Sequence, residues 1–278
     1  MTALLIDQLR GHLEGWQEDL PPAWVPVLKD VELNWAGVSP TRKASEHPVI
    51  PQRRGQVASG RPAGSHLFKA LDEVPPHQVR AVMIGQDPYP HPKLATGRSF
   101  EPGDQTTWSP QTPKSLQRIA QMLAVHRDGQ STDPPLGDAH WATWCERFNK
   151  GRLPPPPALF AHWAGQGVLC LNLALTHTKF EGPEQDQHMA LWQPVLQAVV
   201  RHLAGRESPR PLLVMPWSGK VRNALAPLDL ALPRALCLPG HHPNARGSGD
   251  KPLFFDQPNP FSTANQALAD AHGQALNW

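Results

Sequence analysis

The sequence predicts an α/β fold: a single three-layer domain with a central, short, mostly parallel four-stranded sheet flanked by helices. Two observations carry this. Four short apolar runs, "RAVMIG" (80–85), "GVLCLNLAL" (167–175), "PLLVMPW" (211–217) and "RALCLPG" (234–240), are continuous rather than alternating and are bounded by Gly or Pro. Such runs suit strands buried on both faces of a parallel sheet. Helix-like stretches lie between them, and strands alternating with helices imply an α/β layer fold with right-handed crossovers.

The elements follow in chain order. The opening "MTALLIDQLRGHLEGW" has the periodicity of an amphipathic helix and lacks the order of a signal peptide. Residues 37–66 are polar, basic and rich in Gly and Pro, and are expected to form a flexible surface loop or a basic arm that rests on phosphates. After the first run, "TPKSLQRIAQMLAVH" offers Thr112 as N-cap and Pro113 as first helical residue, with Leu116, Ile119, Met122 and Leu123 on one face. Residues 127–157, with "DPP" and "PPPP", read as a long proline-rich loop. "HMALWQPVLQAVVRHLAG" and "GKVRNALAPL" supply helices after the second and third runs. The whole chain, 1–278, is expected to form one domain.

Composition narrows the function. The chain has 278 residues, enough for a sizeable core, and no apolar run of spanning length. Its three cysteines, Cys145, Cys170 and Cys237, are widely spaced and odd in number, which argues against a disulfide framework or a zinc site and for a reduced, cytoplasmic setting. Net charge is only +2, so a nucleic-acid partner is neither demanded nor excluded by bulk charge.

In open parallel sheets, ligands bind beyond the carboxyl ends of the strands. Just past the four runs stand Gln86-Asp87-Pro88-Tyr89, Asn172, Ser218-Gly219 and His241-His242-Pro243. Each is ordinary alone: a turn, a strand end, a small polar loop, a histidine loop. At one end of one sheet they form a set: a carboxylate, an amide and an imidazole. Metal binding by His241, His242 and Asp87 is the weaker reading, because no paired-histidine or Cys/His spacing supports it.

These motifs resemble the family 1 uracil-DNA glycosylases. "GQDPYP" is similar to the family's water-activating Gly-Gln-Asp-Pro-Tyr-His, "HWAGQGVLCLNLALTH" to its uracil-reading strand, and "GHHPN" to its His-Pro-Ser-Pro-Leu loop. "GRSF" stands where the family has its stacking phenylalanine, "TPKSL" resembles its proline-rich loop and "WSGK" its Gly-Ser loop. The resemblance runs from about Trp24 to Trp278.

The resemblance implies a monofunctional hydrolase, with no metal and no cofactor, that releases uracil from DNA and starts base excision repair. It implies that Asp87 stabilises the sugar cation and orients water, and that His242, or its neighbour His241, stabilises the departing base. Asn172 would read the base edge, Phe100 would stack on its face, Tyr89 would wall the C5 position, and Gln86 would contribute its backbone. Pro113, Ser115, Ser218, Gly219, Asn244 and Arg246 would contact DNA, helped by the charges of Lys114, Lys220, Arg222 and Lys251. The expected partner is uracil-containing DNA, single- or double-stranded, bound by a monomer with no membrane involvement. Three departures stand out: Pro90 replaces the motif's last histidine, Ser218-Gly219 replaces Gly-Ser, and Arg246 stands where the family has its wedge leucine. They leave open a relative that acts on another modified pyrimidine, or one that binds DNA with little catalysis.

Overall fold

The computed structural model describes residues 3–56, 60, 62–178, 182–207, 211–228, 230, 235–248 and 252–278. Four strands, β1 (Ala81–Gly85), β2 (Val168–Asn172), β3 (Leu212–Pro216) and β4 (Ala235–Cys237), lie in the order β2-β1-β3-β4. All neighbours pair in parallel, with Gly85 beside Asn172 and Ile84 beside Pro216. The described helices are α1 (Leu5–Leu13), α2 (Val25–Leu28), α3 (Lys69–Glu73), α4 (Lys114–Arg127), α5 (Trp141–Arg147), α6 (Pro156–Gly165), α7 (Gly182–Ala204), α8 (Gly219–Leu225) and α9 (Pro260–Asp270).

Every residue of β1, β2 and β3 is buried, which explains why their sequences are continuously apolar. Successive side chains feed two separate cores. Val82, Ile84, Leu169, Leu171 and Val214 pack with Leu5 and Leu9 of α1 and Val195 and Val199 of α7. Ala81, Met83, Cys170, Leu213 and Met215 pack with Leu116 and Ile119 of α4, Leu159 of α6 and Phe261 of α9. Burial of each such aliphatic side chain is worth about 1.5–3 kcal/mol.

The structure departs from the sequence reading in three places. The helix over 112–126 begins one residue late. Pro113, at φ −54° and ψ 138°, precedes its first residue. The Thr112 hydroxyl is not a cap; it donates to Gln105 Oε1 at 2.7 Å and accepts from the Ser109 amide at 3.1 Å. The fourth run shortens to Ala235–Cys237, because it pairs only with β3 and Cys237 is exposed at the sheet edge. Residues 127–157 are not a bare loop. They carry α5, where Trp141 and Trp144, with Phe148 at its C-cap, recur at helical spacing and enter the second core.

In residues 37–66, Arg53 pairs with Asp19, Arg54 with Asp72 at 2.6 Å, and Ile50 bridges His177 through both backbone groups. Val57, Ala58, Ser59 and Arg61 lie outside the described residues.

Candidate active site

Gly85, the last residue of β1, lets the cleft form. A Cβ there would lie 2.5 Å from Asn172 Oδ1, 3.1 Å from Ser99 Cβ and 3.2 Å from Phe100 Cζ. Only a residue without a side chain admits both the Asn172 amide and the Phe100 ring at this point. Asn172 ends β2 and is 3% exposed. Phe100 reaches the cleft through a left-handed backbone, φ 64°. Such a conformation costs a non-glycine residue about 1–3 kcal/mol and persists only where neighbours enforce it. Here the Ser99 amide donates to Cys170 O at 3.1 Å, and Arg98 pairs with Glu101 in a buried bridge that Lys69 joins at 3.2 Å. The Phe100 ring lies 5.6 Å from the Trp217 ring and 6.3 Å from that of His242.

Beyond Gly85 the chain turns. The Gln86 carbonyl accepts from the Ala174 amide at 2.8 Å, so Gln86 is fixed through its backbone. The Asp87 carboxylate is held from behind. Its Oδ2 accepts from Gln185 Nε2 of α7 at 2.6 Å, and the His177 Nδ1 lies 3.2 Å from the same oxygen. The Tyr89 hydroxyl shares a 2.7 Å hydrogen bond with Ser115 Oγ and donates to the Phe100 carbonyl at 3.1 Å. Burial raises the Tyr89 pKa, so the phenol stays neutral. The hydroxyl is thus anchored twice, which holds the ring in place.

Opposite stands the loop after β4. The Asn244 amide donates to His242 Nδ1 at 3.1 Å. A nitrogen that accepts has no proton, so the neutral ring carries its proton on Nε2. Burial lowers the His242 pKa to about 4, outweighing the attraction of Asp87, with Arg118 lowering it further. His242 is therefore a neutral N–H donor near pH 7. His241 is exposed, and its backbone amide donates to Gln257 Oε1 at 2.8 Å, so of the pair His242 is the one beside Phe100.

Arg118 of α4 ties this loop down. It is 0% exposed, donates to the Pro243 carbonyl at 2.7 Å, and grips Asp138 with two bonds at 2.9 and 2.7 Å. Its hydrogen bonds hold the Asp138 carboxyl below the usual carboxylate range. Sequence reading missed Arg118, Gly85, His177, Gln185 and Trp217. For Arg118 the one signal was an arginine in the middle of a helix that is buried over 115–125.

The expected DNA contacts fall into two groups. Ser115 is 2% exposed and its hydroxyl is engaged by Tyr89, so its side chain is held inside the protein. Ser218 is 3% exposed and caps α8, its Oγ accepting from the Val221 amide at 3.1 Å. Gly219, Asn244 and Arg246 are exposed, and Pro113 leads into α4. Arg246 bridges Pro252, closing a short loop after His242. Of the cations, Lys114 lies 3.9 Å from Asp138, Lys220 pairs with Asp186 at 2.7 Å, and Arg222 donates to the Gly240 carbonyl at 2.9 Å. Lys251 lies outside the described residues. Among the described residues, no group of three or more His, Cys, Asp or Glu side chains converges as a metal site, and no helix is long and apolar enough to cross a membrane.

No family model matches the chain. Individual proteins do. Uracil-DNA glycosylase 1 of Streptomyces avermitilis is 33% identical over 256 residues, which is 91% of this chain and 97% of that protein. Uracil-DNA glycosylase of a Parafrankia species is 32% identical over 228 residues, covering 81% and 84%. Among solved structures, mimivirus uracil-DNA glycosylase superposes with a TM-score of 0.61 at 18% identity, covering 100% of this chain and 94% of that one. The wild-type UNG of Nitratifractor salsuginis gives 0.56 at 21% identity, covering 86% and 90%. The structures share the fold. Together with relatives at a third identity over nine-tenths of its length, they establish that the chain belongs to the uracil-DNA glycosylase family.

Proposed function

We propose that this protein hydrolyses the N-glycosidic bond of deoxyuridine in DNA, releasing free uracil and leaving an abasic site for base excision repair. The observation that carries the reading is convergence. Asp87, Asn172 and His242 come from the carboxyl ends of β1, β2 and β4: Asn172 and Phe100 meet at Gly85, the Phe100 ring lies 6.3 Å from that of His242, and Asp87 is near enough to act on the charge of His242.

The target base is hidden in a duplex, so the nucleotide is flipped out or met in a single strand. As the sugar–base bond breaks, its electron pair leaves with the base and positive charge builds on the sugar. The Asp87 carboxylate stabilises that cation and orients the water whose oxygen bonds to the sugar carbon; the water's proton passes to solvent, and the uracil anion takes up a proton from solvent after it leaves. The His242 Nε2–H donates to the uracil O2 as its negative charge develops. Asn172 offers a donor and an acceptor to O4 and N3–H of uracil; cytosine leaves at least one of these polar groups unpaired. Phe100 stacks on the ring, a contact worth about 1–3 kcal/mol.

Tyr89 excludes thymine. A soft pocket gains only about 1–3 kcal/mol from one methyl, whereas a ring anchored at Ser115 and the Phe100 carbonyl cannot yield. The protein works as a monomer in the cytoplasm. Pro113, Gly219, Asn244 and Arg246 meet the DNA backbone, mostly without regard to sequence.

The test is to incubate the protein with single- and double-stranded oligonucleotides carrying uracil, thymine, cytosine or 5-substituted uracils, then cleave abasic sites with alkali. Cleavage at uracil alone is expected. No release of uracil from either form overturns the reading, and preferred release of a 5-substituted base reassigns the substrate.

A further inference from the structure

We propose that His177 is a positioning residue for the Asp87 carboxylate, acting with Gln185 to fix which oxygen faces the reacting sugar; this rests on the glycosylase reading above. The loop that carries Asp87 offers it no help. Its next side chains are Pro88, Tyr89, whose hydroxyl is bound elsewhere, and Pro90, which has no donor. The groups that meet the carboxylate come instead from the segment after β2 and from α7. His177 Nδ1 at 3.2 Å and Gln185 Nε2 at 2.6 Å both address Oδ2. The Gln185 amide donates a hydrogen bond to this oxygen and the buried His177 ring approaches it, so two fixed groups back the same side of the carboxylate.

His177 is built as a fixed support. It is 0% exposed. Its backbone exchanges hydrogen bonds of 2.7 and 2.8 Å with Ile50. Its ring stacks on that of His188 at 6.2 Å. His188 is clamped in turn by the Thr176 and Thr178 hydroxyls, each at 2.9 Å, and the Trp192 indole donates to Thr176 Oγ1 at 2.7 Å. Burial lowers the His188 pKa to about 3, so that ring is neutral and adds packing without charge. Segment 37–66 thereby reaches the Asp87 support through Ile50 rather than through Arg53 and Arg54, which pair with Asp19 and Asp72.

The test compares three variants with wild type on a uracil-containing single strand, measuring kcat, KM and thermal midpoint. His177→Ala and His177→Phe are expected to lower kcat about 10- to 100-fold, the cost of a misplaced reacting group, with KM within about twofold. His177→Phe keeps the bulk but carries no polar atom. His177→Asn returns a polar group near the position of Nδ1 and is expected to recover much of the loss. Where His177→Ala fails to fold, the Phe and Asn variants decide. A His177→Phe enzyme at wild-type kcat overturns the proposal. So does an Asn variant no better than Phe at matched thermal midpoint, or a loss confined to KM. Absence of uracil release by the wild type is a different result, which removes the functional reading itself.

Discussion

The two walls of the cleft are made by different means. The wall at the ends of β1 and β2 is closed: Asn172 and Phe100 are buried, the Tyr89 hydroxyl is anchored twice, and Asp87 is backed by α7 and the segment after β2. The wall at the ends of β3 and β4 is open. His241, Asn244 and Arg246 are exposed, and His242 depends on one amide, one buried arginine and an aromatic neighbour. In the proposed reaction the closed wall would face a base and sugar of fixed shape, where a displacement of about 1 Å is costly. The open wall would face a duplex that must deform, where adaptability is useful.

If that division is right, the largest loss comes from the closed wall. Asp87→Asn is expected to lower kcat about 1,000-fold or more, some 4 kcal/mol, while DNA binding measured by anisotropy stays near wild type. Full activity would remove Asp87 from its role. His242→Ala follows, at about 100- to 1,000-fold in kcat, the usual cost of one preorganised donor. A His242 loss larger than that of Asp87 would reverse the comparison.

His242 also carries a pH signature. Its pKa of about 4 and that of His188 near 3 both lie below the ordinary 6.5. Below pH 6.5 the unfolded chain gains protons that these folded sites refuse, so stability falls as pH falls, from about 6.5 down to about 4. The rate has no step at 6.5 from His242, because its ring is already neutral there. A kcat step at pH 6.5 that disappears in His242→Ala would contradict the assigned protonation state. Tyr89→Ala is smaller again: thymine release rises by about 10- to 100-fold from its floor, since one methyl in a softened pocket is worth only a few kcal/mol. Unchanged exclusion would show that another group guards C5.

The same contrast explains what was legible in the sequence. The sheet was readable because double burial writes itself as unbroken apolar runs, and the sequence singled out Asp87, Asn172 and His242 because the first follows such a run, the second ends β2 and the third lies in the loop after β4. Partners contributed from afar were not. Arg118 meets Pro243 across 125 residues, and Gln185 meets Asp87 across 98. No local pattern announces such a pair. Nor did the sequence show that the Ser115 and Ser218 hydroxyls have partners inside the protein, at Tyr89 and at the first turn of α8. Trp141, Trp144 and Phe148 were obscured by the prolines around them, although their spacing is helical.

The smallest predicted effect tests the open wall alone. Arg246 is exposed and sits where the loop after His242 closes on Pro252, with the Leu253 amide donating to Ala245 O at 3.1 Å. A duplex must give up a stacked nucleotide and have the gap filled, whereas a single strand pays neither cost. Arg246→Ala is therefore expected to lower kcat/KM on duplex about 3- to 10-fold, up to about 1.4 kcal/mol, and to change single-strand cleavage little. Equal losses on both substrates, accompanied by a shallower salt dependence, would make Arg246 a phosphate contact only. The open wall would then supply charge rather than a wedge, and the extrusion of uracil from duplex would have to be driven from the closed side.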